Sequence, residues 1–237
     1  MDPLLRAGLV QLRDGDETLN RLISRRGLDT AAALLLRYIE EIELFNPAYG
    51  LVGAKDREEI ITRHILDSLA PAGVIVRQLE SAGFSFGAEG SPGETRASIA
   101  DIGSGAGLPG IPLSILLPET AVTLVERMGR RAGFLRNTLA VLELSGIAVE
   151  ETDMEKAKPG RFDLITFRAF RPLSPQILKG LFRLLAPGGV LAAYKGKRDS
   201  IDTEMAAVSD LVLSWEIRET PVPYLNEERH LVLITSR

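Results

Sequence analysis

Four glycines set between two acids are the residues of this chain whose types and spacing point most directly to chemistry. In the run from Ser98 to Arg131, SIADIGSGAGLPGIPLSILLPETAVTLVERMGRR, a short apolar segment ends at Asp101 and breaks into Gly103, Gly105, Gly107 and Gly110. A Pro-started helix follows, then a second apolar strand, Val122 to Val125, closed by Glu126. Strand, glycine turn, helix and acid-ended strand make the βαβ unit that holds an adenosine-containing cofactor. Gly105-Ala-Gly107-Leu-Pro-Gly110 satisfies the G-x-G-x-x-G spacing of a dinucleotide site. The carboxylate of Asp101 at the start of the turn argues for another ligand: it repels a pyrophosphate and attracts the cationic amino-acid end of S-adenosylmethionine. Gly103 and Gly105 let the backbone approach such a cofactor, and Glu126 can accept both ribose hydroxyls.

The acceptor is narrowed by what stands elsewhere. Asp153-Met154-Glu155 follows the third strand of the α/β part, where Met154 either covers an adenine ring or is ordinary core. The fourth strand runs into Arg168-Ala169-Phe170-Arg171 instead of an Asn/Asp-Pro-Pro-aromatic sequence that would orient an exocyclic amine, so amino-group methylation is disfavoured. The chain has no cysteine, which removes the thiolate that pyrimidine-C5 methylation requires. An acceptor with its own lone pair, such as guanine N7, needs neither device, because alignment alone can drive in-line displacement. Methylation of a small-molecule oxygen stays open, without an obvious general base. The strand ends that face a ligand carry Arg127, Arg130, Arg131, Arg168, Arg171, Lys195, Lys197 and Arg198. On a chain of net charge −4 this clustering suggests a polyanion, with Phe167 or Phe170 available to stack an exposed base; the alternative is a solvated rim.

The elements that position these groups follow from the apolar pattern. Residues 1–82 read as a helical extension, with Asp16 capping the second helix. The third helix carries Leu34, Leu36, Ile39, Ile42 and Leu44 on its apolar face and is ended by Pro47 and Gly50. Asp56 to Glu59 reads as a capping box for the helix holding His64 and Asp67. The Gly-, Ser- and acid-rich stretch 83–98 is a surface loop without an active role, and 99–237 is a Rossmann-like domain forming one compact unit with the extension. Strands are predicted at 98–103, 121–126, 147–151, 161–168 and 188–195, and helices at 110–117, 129–144 and 174–186. This alternation means a mostly parallel sheet, with an antiparallel hairpin, 211–219 and 229–235, closing its edge. Leu185-Ala-Pro-Gly-Gly189 reads as a helix stop and turn before the fifth strand.

With 237 residues and 45% apolar content the chain can bury a proper core. No stretch approaches the roughly eighteen consecutive apolar residues of a membrane span, and no signal pattern opens the chain, so a cytoplasmic protein is expected. Two distant histidines, His64 and His230, and no cysteine leave no metal site to expect. No long heptad run argues for a coiled-coil dimer, and a monomer is expected.

Several segments together resemble the bacterial 16S rRNA guanine-N7 methyltransferase family, also called glucose-inhibited division protein B. They are Arg63-His-Ile-Leu-Asp-Ser68, Asp101-Ile-Gly-Ser-Gly-Ala-Gly-Leu-Pro-Gly-Ile-Pro-Leu113, Gly129-Arg-Arg131 with Phe134-Leu-Arg136, Arg168-Ala-Phe170, Lys195-Gly196 and Glu228-Arg-His-Leu-Val232. The resemblance covers roughly residues 30 to 236. It implies a class I S-adenosylmethionine-dependent methyltransferase fold with an N-terminal helical extension, and one guanine in the decoding-region loop of 16S rRNA, free or within the small ribosomal subunit, as acceptor. By position it implies cofactor contacts at Gly103, Leu108, Met154, Glu155 and Arg168, with Glu126 at the ribose, beside Asp101 and Gly105 of the turn read above; the candidate RNA contacts are Arg63, Arg127, Arg130, Arg131, Arg171, Lys195, Lys197 and Arg198. His64 and Asp67, three apart on their helix, are either pocket residues or a buried structural pair. The family often has Asp in place of Glu126, and commonly reads Asn-Leu-Thr where this chain has Gly50-Leu51-Val52, a change that bears on the substrate pocket. The rival readings are a small-molecule methyltransferase on the same fold, an RNA-binding or division-associated protein with a vestigial cofactor site, and a nicotinamide oxidoreductase, for which no hydride-side group is found.

Overall fold

The structure, a computed structural model, describes residues 2–86, 96–169 and 172–237. Five parallel strands, β1 (Ser98–Ile102), β2 (Ala121–Val125), β3 (Ile147–Glu150), β4 (Phe162–Arg168) and β5 (Leu185–Lys195), form most of one sheet. Two further strands, β6 (Val212–Glu219) and β7 (His230–Ser236), complete the order β3-β2-β1-β4-β5-β7-β6, with β7 antiparallel to both of its neighbours. The order reverses between β1 and β4, so the connections leaving these strands part to opposite faces and open a crevice at their carboxyl ends. The period of two sorts the side chains: Ile99 packs into the core under the N-terminal helices, while Ala100 and Ile102 pack on the opposite face. Helices α7 (Gly110–Leu116) and α8 (Gly129–Leu142) cover the first face, and α9 (Pro175–Leu184) and α10 (Arg198–Ala206) the second.

The N-terminal helices α1 (Pro3–Gly15), α2 (Glu17–Arg26), α3 (Leu28–Tyr49) and α6 (Ala72–Ser81) pack onto α7 and α8 through one continuous apolar core that includes Leu9, Leu22, Ile39, Ile75, Ile111 and Phe134. Asp16 caps α2 by accepting the Leu19 N–H. Asp56 caps α4 (Arg57–Ile60) by accepting the Glu59 N–H, and the Glu59 carboxylate reaches back to the Lys55 N–H, one residue before the cap. Two expectations for α3 are corrected. Pro47 lies inside the helix, where it removes one hydrogen bond of the last turn without ending it; Gly50, left-handed with φ 57°, does the closing, its N–H bonded to the Asn46 carbonyl. Leu44 is 70% exposed, because the apolar face of α3 turns away from it.

Between α4 and α5 (Asp67–Leu69) the helix widens to a π-helical segment, Ile61–Leu66. One extra residue in the turn has no counterpart in the apolar pattern, and it falls on the Arg63-His64 segment. Elsewhere strand and helix bounds agree with expectation to within two residues, with one exception: β5 begins three residues early, at Leu185, pairing with Phe162, and its register shifts between Phe162 and Leu164 before the main ladder resumes at Val190. The Pro-Gly-Gly sequence is thus an irregularity within the strand, not a turn before it. Of the predicted loop 83–98, residues 87–95 lie outside the described residues, as do Phe170 and Arg171. Among the described residues no helix is long and apolar enough to cross a membrane, and no cluster of His, Asp or Glu could hold a metal ion.

Candidate active site

Two cavities open at the carboxyl ends of the strands. The smaller, 200 Å³, lies over β1 and β2 and is lined by Gly103, Glu126, Arg127, Met128, Arg131, Thr152, Asp153, Met154 and Ala169. Gly103, Gly105 and Gly107 all have positive φ, which the turn from β1 into α7 requires. Gly110 answers to space instead: a Cβ there would lie 2.3 Å from the Leu124 side chain and 2.9 Å from Asp101 Oδ2. That closeness lets the Gly110 N–H, at the start of α7, donate to Asp101 Oδ2 at 3.0 Å. Glu126 is 4% exposed and doubly held, Oε2 accepting the Gly105 N–H at 2.9 Å and Oε1 the Met128 N–H at 2.8 Å. Each oxygen keeps a second lone pair for a diol.

These residues fit S-adenosylmethionine on two counts: the preset carboxylate of Glu126 beside a glycine turn, and the buried Asp101 Oδ1, which has no hydrogen-bond partner among the described residues. Asp101 is nevertheless 1% exposed and lines neither cavity, so its visible work is to clamp the turn onto α7. Met154 serves both readings offered for it, lining the cavity while its methyl group fills the space above Gly180 of α9. Leu108, 5% exposed in the core, and Glu155, exposed, line neither cavity.

The larger cavity, 520 Å³, collects residues from across the chain. Arg63 and His64 come from the π-helical segment, Asp67 from α5, Phe167, Arg168 and Ala169 from the end of β4, Tyr194 and Lys195 from the end of β5, Glu204 from α10, and Arg229 and His230 from the start of β7. Ala169, with φ 47°, lines both cavities and marks where they meet. Asp67 is the knot: Oδ2 accepts from Arg168 Nη1 at 2.8 Å and Oδ1 from Arg229 Nε at 3.0 Å. The widened turn frees the Arg63 carbonyl to accept from Arg168 Nη1 as well, at 3.2 Å. Arg168 Nη2 lies 3.3 Å from His64 Nδ1; a guanidinium only donates, so Nδ1 accepts and the ring proton sits on Nε2. His64 and Asp67 are thus both pocket-lining and structurally paired.

Three groups here titrate away from their ordinary ranges, and burial pushes the Tyr194 phenol, the first of them, well up. Burial raises Asp101 to about 7, against the opposing pull of the Gly110 N–H, Arg168 and Ser104, while Glu126 adds to the rise. Burial lowers His64 to about 4, helped by Arg168 and Arg63. The signs oppose each other. Between about pH 4 and 7 the folded chain keeps an Asp101 proton that the unfolded chain has lost, so this contribution to stability fades as pH rises. His64 adds stability above about 6.5 that is lost as pH falls toward 4. Asp101→Asn is expected to raise stability at pH 8 relative to the parent by an amount on the order of a few kcal/mol, and to leave it little changed at pH 4; urea unfolding across this range checks it.

The basic residues do not form one uniform rim. Arg168 is held in the Asp67 network with its side chain 14% exposed, and Lys195 is paired with Glu204 at 2.6 Å, which corrects their place among rim cations. Arg127 and Arg131 line the smaller cavity, so their effects reach the cofactor side. Arg63 pairs with Glu227, and Arg198 with Asp202. Lys197 is exposed. Arg130, also exposed, stands 5.3 Å over the Tyr49 ring and outside both cavities. Arg130→Ala is therefore expected to weaken RNA binding several-fold and lower its salt slope by about one, with cofactor affinity unmoved; filter binding at several salt concentrations measures both. Phe167, 2% exposed, lines the larger cavity from within the core. Arg229, Glu204 and Tyr194 had no role in the sequence reading; the Glu228-Arg-His-Leu-Val232 segment was a signal for the first, while nothing local marks the other two.

The family model described as rRNA small subunit methyltransferase G matches residues 31–232. The chain is 41% identical over 223 residues to a protein of Treponema pallidum (strain Nichols) named ribosomal RNA small subunit methyltransferase G, covering 92% of this chain and 91% of that one. A protein of the same name from Stenotrophomonas maltophilia (strain K279a) is 40% identical, with 92% and 93% covered. Among solved structures, an assigned S-adenosyl-L-methionine-dependent methyltransferase from Methanococcus maripaludis superposes with TM-score 0.52 at 17% identity, covering 84% of this chain and 91% of that one. A tRNA (m1A58) methyltransferase from Aquifex aeolicus does so with TM-score 0.52 at 12% identity, covering 70% and 69%. These two likenesses concern the fold.

Proposed function

The chain belongs to the rRNA small subunit methyltransferase G family, and from that membership we propose that it transfers the methyl group of S-adenosylmethionine to N7 of one guanine in the decoding-region loop of 16S rRNA. When bound, the donor supplies a methyl group activated by its positively charged sulfur. Glu126 holds the ribose diol, the glycine turn lies against the amino-acid end, and Met154 covers the adenine. Asp101 keeps the turn docked on α7 through the Gly110 N–H.

The acceptor base enters the larger cavity, and the single observation that carries the reading is the meeting of the two cavities at Ala169. A donor and a base that approach from either side of this residue are placed for in-line displacement. The carboxylates of the larger cavity are held by cations, Asp67 by two arginines and Glu204 by Lys195, a poor arrangement for a general base. Guanine N7 needs none, since its lone pair is free before attack. Arg63, Arg168, Lys195 and Arg229 line this cavity against the carboxylates of Asp67 and Glu204, a positive excess that suits a flipped nucleotide. We take the small ribosomal subunit or its rRNA as the only macromolecular partner, with the protein acting as a monomer without metal.

The test is to incubate the protein with methyl-labelled donor and, separately, 16S rRNA, assembled 30S particles and a pool of metabolites. Label in the RNA or the particles supports the reading. Label confined to metabolites moves the acceptor to a small molecule.

A further inference from the structure

We propose that the Lys195–Glu204 pair reads the edge of the acceptor guanine that bears O6, N1–H and the 2-amino group, and so makes the larger cavity selective for guanine over other purines. The inference rests on the guanine reading above. Glu204 is the only residue of α10 in the lining of this cavity, and it reaches the end of β5 to meet Lys195 Nζ at 2.6 Å. The pair is largely withdrawn from solvent, with side chains 16% and 26% exposed. Its hydrogen bonds are incomplete. Oε2 accepts from Lys195 and, at 3.3 Å, from the Leu173 N–H, while Oε1 accepts none among the described residues. Lys195 Nζ spends one of its three hydrogens on Glu204. The backbone that carries Lys195 is fixed, since Lys195 pairs with His230 in the β5–β7 ladder and the His230 Nδ1–H donates to the Gly196 carbonyl at 2.6 Å.

The pair therefore offers, side by side, a cationic donor and an anionic acceptor. Guanine presents the matching order, an acceptor at O6 next to donors at N1 and the 2-amino group. Adenine presents the reverse, an amino donor where guanine has O6 and a lone pair at N1, so both members of the pair would face a like partner. Each purine has a nucleophilic N7, so the reacting atom cannot discriminate between them. The edge carrying O6, N1–H and the 2-amino group differs between them at every position, and a site built to hydrogen-bond a group rejects analogues lacking it far more strongly than shape alone allows.

The test uses small subunits reconstituted with 16S rRNA that carries guanosine, or inosine, at the target position. Inosine keeps O6, N1–H and N7 and lacks only the 2-amino group. The parent enzyme is expected to favour guanosine over inosine by roughly tenfold in kcat/KM, the worth of one hydrogen bond to a charged group. Glu204→Ala should lower the rate on guanosine by about tenfold to a hundredfold, lower that on inosine less, and bring the ratio near one. Glu204→Gln, which keeps the volume and one acceptor, should fall between. Calorimetric cofactor affinity equal to the parent's verifies that both variants fold. An equal loss on both substrates, or no loss on either, overturns the role of the pair while leaving the guanine reading intact. No methylation of guanosine by the parent would overturn the guanine reading, and the inference with it.

Discussion

Glu126→Ala is expected to weaken S-adenosylmethionine binding by roughly a hundredfold, measured by calorimetry. Hydrogen bonds to a charged acceptor are worth about 1.5–3 kcal/mol each, and the diol makes two. The substitution also leaves the Gly105 and Met128 N–H groups without the carboxylate that holds them, so the glycine turn loosens as the ligand contacts are lost. Glu126→Asp, with both oxygens on a shorter stem, should cost far less. Unchanged affinity in the alanine variant would sink the ribose assignment.

Asp67→Ala is expected to have the second large effect, on stability and turnover together. The side chain is 8% exposed and holds two guanidinium groups that arrive from different strands. Removing it leaves Arg168 and Arg229 facing one another without a counter-charge, at a cost of about 3–5 kcal/mol. For a chain of this size that lowers the thermal midpoint by roughly 10 °C. In the folded fraction kcat should fall more than tenfold with cofactor affinity nearly unchanged, because Arg168 and Arg229 line the larger cavity and not the smaller. A variant that loses stability while its turnover at low temperature matches the parent's would reduce Asp67 to a structural tie.

The βαβ unit and the acidic end of β2 were legible in the sequence because their signals are local: apolar runs of strand length, glycines where the backbone must turn, a carboxylate one position beyond a strand. The Asp56 capping box was legible for the same reason. The larger cavity was only half visible. Its centre joins Asp67 to Arg168 and Arg229, partners 101 and 162 positions away, and no periodicity reports a contact at that range. The π-helical turn escaped because one added residue barely disturbs a helical apolar pattern, yet it decides which way Arg63 and His64 face. Cations at the strand ends are visible in sequence, but not that Arg168 and Lys195 are paired inward or that Arg127 and Arg131 line the smaller cavity. Glu204 shows the converse: one acid on a helix is unremarkable in sequence, and only the packing of α10 beside β5 brings it to the larger cavity.

The central claim is methyl transfer to a guanine N7, and the chemistry of the product tests it directly. Borohydride reduces the cationic imidazole ring of a guanosine methylated at N7, the reduced base is lost, and the strand then breaks at the abasic nucleotide in aniline. After incubation of 30S particles with the protein and S-adenosylmethionine, the 16S rRNA is expected to break at one new site, a guanine in the decoding-region loop, in proportion to the label incorporated. Label in the RNA with no break at a guanine, or breaks scattered over many, would contradict it.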